Sequence, residues 1–350
     1  MKRSEHFRFL VFLGILAVLG GVLTFLTPGE LETRPQVHLE GRTMGTYYFV
    51  QLVGFELNEA ELARLRGLVE AELDAVNQAM STYMPDSEIS RFNAMRETAP
   101  MPISRRFRDV VVRSQELYEE MEGAFDPTVG PLIRFWGFDR GEATQVLPDE
   151  ETLAALQART GMAHLELTED GLSKSVPELE INLSAIAKGY AIDRVAHLLM
   201  EEGFLDLWVE IGGDLAVRGN NAQGVPWRVG ISVPEQGAEH EILQRIAMSH
   251  GAMATSGDAQ NFREVAGERM HHILDPVTGR PVETNLASVT IIAADCMTAD
   301  AIATGIYVMG MDAGLAWIEG RPGVEGLLIA RGADGWVTRY TAGMEALLMD

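Results

Sequence analysis

The chain has 350 residues, 47% apolar and 23% charged, a balance that excludes a disordered, collagen-like or disulfide-dense polypeptide. Its 28 Lys+Arg against 51 Asp+Glu leave a formal charge of −23, and a surface that acidic repels nucleic-acid phosphate. The one cysteine, Cys296, excludes an internal disulfide and a cysteine-based zinc site.

Residues 1–8 form a basic head with Lys2, Arg3 and Arg8, and residues 9–26 carry no charge. That run reaches the lower limit of the roughly 17–25 residues of a bilayer-spanning helix. It is longer than the ~7–15 residue core of a cleaved signal peptide, and no clear A-x-A site comes after it. Glu30 and Glu32 lie beyond it, so the positive-inside bias puts the body outside the cytoplasm. The sequence thus predicts a cytoplasmic head at 1–8, a transmembrane signal-anchor at 9–26, a tether at 27–40 and one domain at 41–350. A cleaved signal peptide and a buried core helix are the alternatives.

Residues 41–53, with Thr46, Tyr47, Tyr48, Phe49 and Val50, read as a strand. Residues 60–80 place Leu62, Leu65, Leu68, Val69, Leu73 and Val76 at helical spacing, and 110–121 predict a second helix stopping at Gly123. A short strand at 179–183 leads to a helix running to about residue 201, with Ser184 as its N-cap. Residues 207–217 read as a strand interrupted by Gly212-Gly213, 288–294 as a buried strand and 297–309 as an apolar helix. Strands and helices mix without regular βαβ alternation, which predicts an α+β fold.

Dinucleotide, P-loop and H-E-x-x-H zinc motifs are absent. Tyr83 sits at a corner made by Pro85 and Asp86, with Asp86 or Ser87 able to cap the segment beyond the turn; Tyr83 either offers a flat face to an aromatic ligand or simply packs. Asp126, in a loop bounded by Gly123 and Pro131, either accepts from a ring N–H or caps a turn. Lys188 lies one turn into a helix whose start favours an anion, unless it is an ordinary solvated lysine. Residues 254–258 form a small-residue loop that a phosphate can approach, and Gly212-Gly213-Asp214 reads as a strand kink. His271 and His272 are adjacent on a strand and face opposite ways, so they do not chelate one ion together. Asp300 and Thr304 share a helix face as two hard oxygens, a pattern for Mg²⁺ rather than zinc, or else Asp300 is hydrogen-bonded inside the fold.

Met44-Gly45-Thr46, STYMPDSEIS, GAFDPTVGPL, INLSAIAKGYAID, EIGGDLAVRG, ATSGD, HHILDPVTGRP and MTADAIATG succeed one another over about residues 41–310. Together they resemble the ApbE family, the FAD:protein FMN transferases. The resemblance implies a single α+β domain with a T-fold-like core and an Mg²⁺-dependent enzyme. Such an enzyme cleaves the FAD pyrophosphate, joins FMN by a phosphoester to a threonine of another protein, and releases AMP. By position, Met44, Tyr83, Ala124, Phe125, Asp126, Asn182, Lys188, His272 and Ile273 resemble the FAD contacts. The main-chain oxygen of Ala185, with Asp300 and Thr304, resembles the metal set. Lys188 then acts at the phosphates, and His272 or an aspartate near the metal, such as Asp300, removes the threonine proton.

Two departures stand out. Many relatives carry Asp at the position of Asn182, and many are lipoproteins, whereas here Cys296 is the only cysteine and the apolar helix would be the anchor. The implied setting is the inner membrane of a bacterium, with the catalytic domain in the periplasm and a redox-complex subunit as acceptor. An Mg²⁺-dependent FAD pyrophosphatase and a membrane-tethered flavin-binding protein are the competing readings.

Overall fold

The computed structural model describes residues 33–139, 147–238, 240–259, 261–265 and 267–349. The basic head, the apolar run 9–26 and residues 27–32 of the expected tether lie outside these residues. Among the described residues, no helix is long and apolar enough to cross a membrane.

Eight strands succeed one another across a single sheet in chain order: Gln36–Thr43, Thr46–Val53, Leu207–Ile211, Asp214–Arg218, His250–Gly257, Leu286–Ala293, Glu325–Gly332 and Gly335–Tyr340. Every neighbouring pair is antiparallel, as an α+β fold requires and a doubly wound sheet does not.

The run expected as one strand at 41–53 is a hairpin. Met44 (φ 50) and Gly45 (φ 77) form its two-residue turn, closed by the Thr43–Thr46 pair. The hairpin recruits residues 36–40, which composition alone assigns to the tether. Leu39 is fully buried there, so pairing with Val50 removes apolar surface from water. The run 207–217 is likewise two strands, turned at Gly212 (φ 58) and Gly213 (φ 96), a conformation that glycine adopts without steric cost.

The sheet is covered on both faces. Val209, Ile211, Ala252, Ala254, Val289, Ile291, Leu328 and Ala330 point into a core shared with the helices. Leu215, Val217, Met253, Ile292, Leu327 and Ile329 point the other way, against Trp227, Val229, Ile231 and Ile246 of a three-stranded sheet. This second layer comprises Trp227–Ser232, Ile242–Met248 and Leu348–Met349. Double coverage explains why Leu286–Ala293 is buried at every position instead of alternating.

The helix Glu59–Met80 starts at a capping box of Asn58 and Glu61 and buries Leu65, Val69, Leu73 and Val76. The next long helix begins at Arg105, earlier than its apolar spacing suggests, because the Ser104 hydroxyl accepts from the Phe107 amide at 3.3 Å. The helices Ala187–Glu201 and Cys296–Met309 pack together on the sheet. They meet at Gly189, where a Cβ would stand 2.2 Å from the carbonyl oxygen of Cys296. Gly189→Ala should therefore force main chain apart and cost about 3 kcal/mol, the upper part of the overpacking range. Denaturant unfolding measures this; an unchanged midpoint would show that the helices separate freely there.

Candidate active site

The site begins with a helix that lacks the cap expected for it. Ser184 is not the N-cap: the helix starts at Ala187, with Ile186 in the cap position and no side-chain hydrogen bond. The reason is Asn182, whose Oδ1 accepts from both the amide (3.0 Å) and the hydroxyl (2.5 Å) of Ser184, holding 184–186 in a turn. Nor is 179–183 a strand in a sheet; it meets the chain opposite through one bridge, Val129–Glu180, and through the Asn182 amide, which donates to the Pro127 carbonyl at 2.7 Å. The Ala187 amide donates to the Leu183 carbonyl at 2.8 Å, and the amides after it need other acceptors. Gly189 donates to Asp300 Oδ2 at 3.1 Å, so a carboxylate from the neighbouring helix does the capping.

Charges converge on this helix start. The Lys188 ammonium pairs with Asp214 Oδ2, and the other carboxylate oxygen, Oδ1, accepts from the Thr255 amide at 2.9 Å. Burial pushes the Asp300 carboxyl upward, while Lys188 and the Gly189 amide work against it. Asp193 accepts from the amides of Cys296 and Met297, both at 2.8 Å, and so caps the second helix. Burial first, then the fields of Asp295 and Asp300, push Asp193 up to about 7. Thr304, one turn beyond Asp300, shares a hydrogen bond with Ser256 at 3.0 Å. The Cys296 thiol is buried and pushed well upward by that burial, which leaves it inert.

The flavin-contact candidates lie on several separate elements. Gly305 lets the loop of Met121 and Phe125 pack beside Thr304; a Cβ there would come within 3.3 Å of the Phe125 Cβ. Asp126 caps its own turn, its Oδ1 accepting from the Thr128 amide (2.7 Å) and hydroxyl (2.6 Å), while burial pushes its pKa up. Ala124 is half-buried and Phe125 buried. Ser87, as expected, caps the short helix Glu88–Ala94. The corner before it leaves Tyr83 68% exposed. Thr82 ties that corner to Asp139 at 2.9 Å, and the adjacent Phe138 ring stands edge-on to His272 at 6.3 Å. Met44 lies at the hairpin tip, beside a cavity of about 330 Å³ lined by residues 42–47. The tip abuts the Gly212 turn, whose amide donates to the Tyr47 carbonyl at 3.1 Å.

The histidines divide as their alternation predicts. His271 is buried: its Nε2–H donates to the Val282 carbonyl at 2.9 Å and its Nδ1 accepts from the Ile273 amide at 3.3 Å, so both nitrogens serve the fold. Ile273 is itself buried. His272 is half-buried, with Nδ1 3.0 Å from the Asn261 carbonyl. A carbonyl only accepts, so the proton is on Nδ1 and Nε2 carries the lone pair. Burial pushes the His272 pKa down to about 4, and the fields of His271 and Lys188 act in the same direction.

The structure thus brings Lys188, Asp300 and Thr304 to one pair of helices with the Phe125 loop beside them, and adds three residues that sequence reasoning misses. Asp214 reads as part of a strand kink, although a carboxylate directly after Gly212-Gly213 is an available signal. Ser256 is visible only as part of a small-residue loop. Asp193 looks like one more polar residue on a helix.

The model of the ApbE family matches residues 44–328. The FAD:protein FMN transferase of Vibrio cholerae serotype O1 is 42% identical over 313 residues, covering 89% of this chain and 92% of its own. That of Escherichia coli K12 is 34% identical over 326 residues, covering 92% of each chain. Among solved structures, the flavin transferase ApbE from Vibrio cholerae superposes with a TM-score of 0.81 at 39% identity, over 90% of this chain and 100% of the other. The apo flavinyl transferase ApbE of Pseudomonas stutzeri gives 0.78 at 35% identity, over 90% and 97%. With a family match over most of its length and this geometry beneath it, the chain is a member of the ApbE family.

Proposed function

We propose that this protein transfers FMN from FAD to a threonine of a partner flavoprotein, as a phosphoester, with release of AMP. The observation that carries the reading is the meeting of three groups at one end of the sheet. These are an ammonium at a helix start, a carboxylate and hydroxyl on one face of a second helix, and a neutral imidazole with an open nitrogen.

The threonine hydroxyl attacks the FMN-side phosphorus, the new O–P bond forms, and the bond to AMP breaks with its electron pair staying on AMP. His272 Nε2 takes the hydroxyl proton, since its ring is neutral at pH 7 and Nδ1 is already occupied. Lys188 offsets the negative charge redistributed over the phosphate oxygens. Tyr83, Met44, Ala124, Phe125, Asp126, Asn182 and Ile273 are assigned to FAD. Within that set, Tyr83 is an aromatic side chain 68% exposed at its corner, and Asp126 keeps Oδ2 for a ring N–H while Thr128 occupies Oδ1. Asn182 Oδ1 is likewise taken by Ser184, which leaves its amide nitrogen as the donor toward a phosphate.

Magnesium belongs to this reading because the donors fit it. Asp300 supplies a buried carboxylate, and Thr304 adds a hydroxyl. Ala185 adds a carbonyl at the start of a helix whose Gly189 amide is turned to Asp300. These are hard oxygens, the set Mg²⁺ prefers, and the bound ion would supply further charge neutralisation at the pyrophosphate. Membrane attachment through residues 9–26, with the body in the periplasm of a bacterium, is proposed on the charge asymmetry of the flanks.

Incubation with FAD, Mg²⁺ and a candidate acceptor should add one FMN mass to the acceptor. Loss of FAD without that mass would point to a pyrophosphatase, and binding without loss to a flavin carrier. Asp300→Ala should abolish transfer even in excess Mg²⁺, and full activity in EDTA would remove the metal from the scheme. Tyr83→Ala should raise the KM for FAD roughly ten-fold with turnover largely kept, because stacking contributes about 0.5–1.5 kcal/mol and changes little in the transition state. Lys188→Ala should instead lower turnover by ~10²-fold or more. Because His272 binds its proton more weakly folded than unfolded, it lowers stability as pH falls from about 6.5 towards 4. Its ring resonances should hold neutral positions from pH 7 to 5, and an ordinary midpoint near 6.5 would contradict the burial argument.

A further inference from the structure

We infer that Asp214 is a positioning residue that holds the Lys188 ammonium on the phosphate side of the site and away from Asp300. The inference rests on the reading of Lys188 as the phosphate cation. Lys188 lies beside two carboxylates, Asp214, which it pairs with, and Asp300, which accepts from the amide of the next residue, Gly189, at 3.1 Å. Left to Coulomb attraction alone, one ammonium would be shared between them. The backbone decides the outcome. Asp214 comes directly after Gly212-Gly213, and its strand is paired on both sides, to Leu207–Ile211 and to His250–Gly257. Its carboxylate is 3% exposed and cannot turn, because Oδ1 is held by the Thr255 amide while Oδ2 faces Lys188.

The Lys188 side chain is 27% exposed, so the pair is closed on the protein side and open on the other. A buried ion pair adds little to stability in itself, which makes this asymmetric one a poor structural device. Its effect on the neighbouring helix is more specific. With Lys188 held by Asp214, the Asp300 carboxylate keeps the Gly189 amide as its donor and remains available to a cation. The same strand continues from Thr255 into Ser256, which meets Thr304, so one carboxylate indexes both the ammonium and the hydroxyl beside Asp300. The groups facing Lys188 from the packed elements are Asp214, Asp300, Cys296 and His272; the thiol is un-ionised and the imidazole neutral, which leaves the two carboxylates as rivals.

Asp214→Asn tests this, since its amide oxygen still accepts from Thr255 while the charge is gone. Mn²⁺ binding, tracked by electron paramagnetic resonance on the full chain, should weaken about ten-fold as Lys188 moves to Asp300. Turnover should fall about ten-fold or more, with FAD binding, read by flavin fluorescence, unchanged or tighter. Removing the lysine as well, in Lys188→Ala with Asp214→Asn, should restore Mn²⁺ affinity to that of Lys188→Ala alone, and Asp214→Glu should recover part of the turnover. Wild-type Mn²⁺ affinity and turnover in Asp214→Asn would overturn the inference. So would a loss of Mn²⁺ affinity that persists in the double variant, which is what a merely structural Asp214 predicts. If Lys188→Ala alone keeps full turnover, it is the phosphate reading of Lys188 that fails instead.

Discussion

A helix start without a cap of its own organises the site. Asn182 captures Ser184, the chain turns through 184–186, and the helix Ala187–Glu201 presents amides that its own sequence leaves unsatisfied. Asp300 answers one of them from a separate helix. That bond requires the two helices to approach at Gly189, and the approach sets Lys188 near Asp214 and Thr304 near Ser256. A serine cap would have satisfied the helix locally and removed the reason for Asp300 to be buried there.

The sheet contributes by exclusion. Both of its faces are covered, so its middle carries aliphatic side chains, and polar groups collect where strands turn. The Met44 turn, the Gly212 turn and the Thr255-Ser256 segment are joined by the Gly212–Tyr47 and Thr255–Asp214 bonds. Rigid strands behind these turns hold charged groups at fixed separations, which a surface loop would do less well.

Much of this is legible from residues alone. Helical spacing locates 60–80 and 297–309 closely, because each buries one apolar stripe or is apolar throughout. The charge-free, β-branched run near 288 signals a strand buried on both faces. Contacts between distant segments are not legible in this way. Asn182 competing with Ser184, Gly189 facing Cys296 and Lys188 pairing with Asp214 each depend on packing that no local pattern encodes. The histidine pair is legible as a division of labour, but which ring serves the fold depends on the Val282 and Asn261 carbonyls. The strand at 36–40 is hidden because its outward positions are polar, as expected for a strand near the sheet edge.

The strand order has a consequence for how the molecule divides its labour. Thr46–Val53 pairs directly with Leu207–Ile211, so everything from residue 54 to 206 is an excursion between two adjacent strands. Tyr83, Asp126, Asn182 and Lys188 belong to that excursion. Asp214, Ser256, His272, Asp300 and Thr304 belong to the chain after the return. The candidate site is therefore a seam between an inserted half and a framework half. Loop-closure entropy grows only slowly with length, so the excursion can lengthen or shorten at little thermodynamic penalty. The residues on the inserted side can diversify while the framework side keeps its imidazole, its buried carboxylates and its hydroxyls in register.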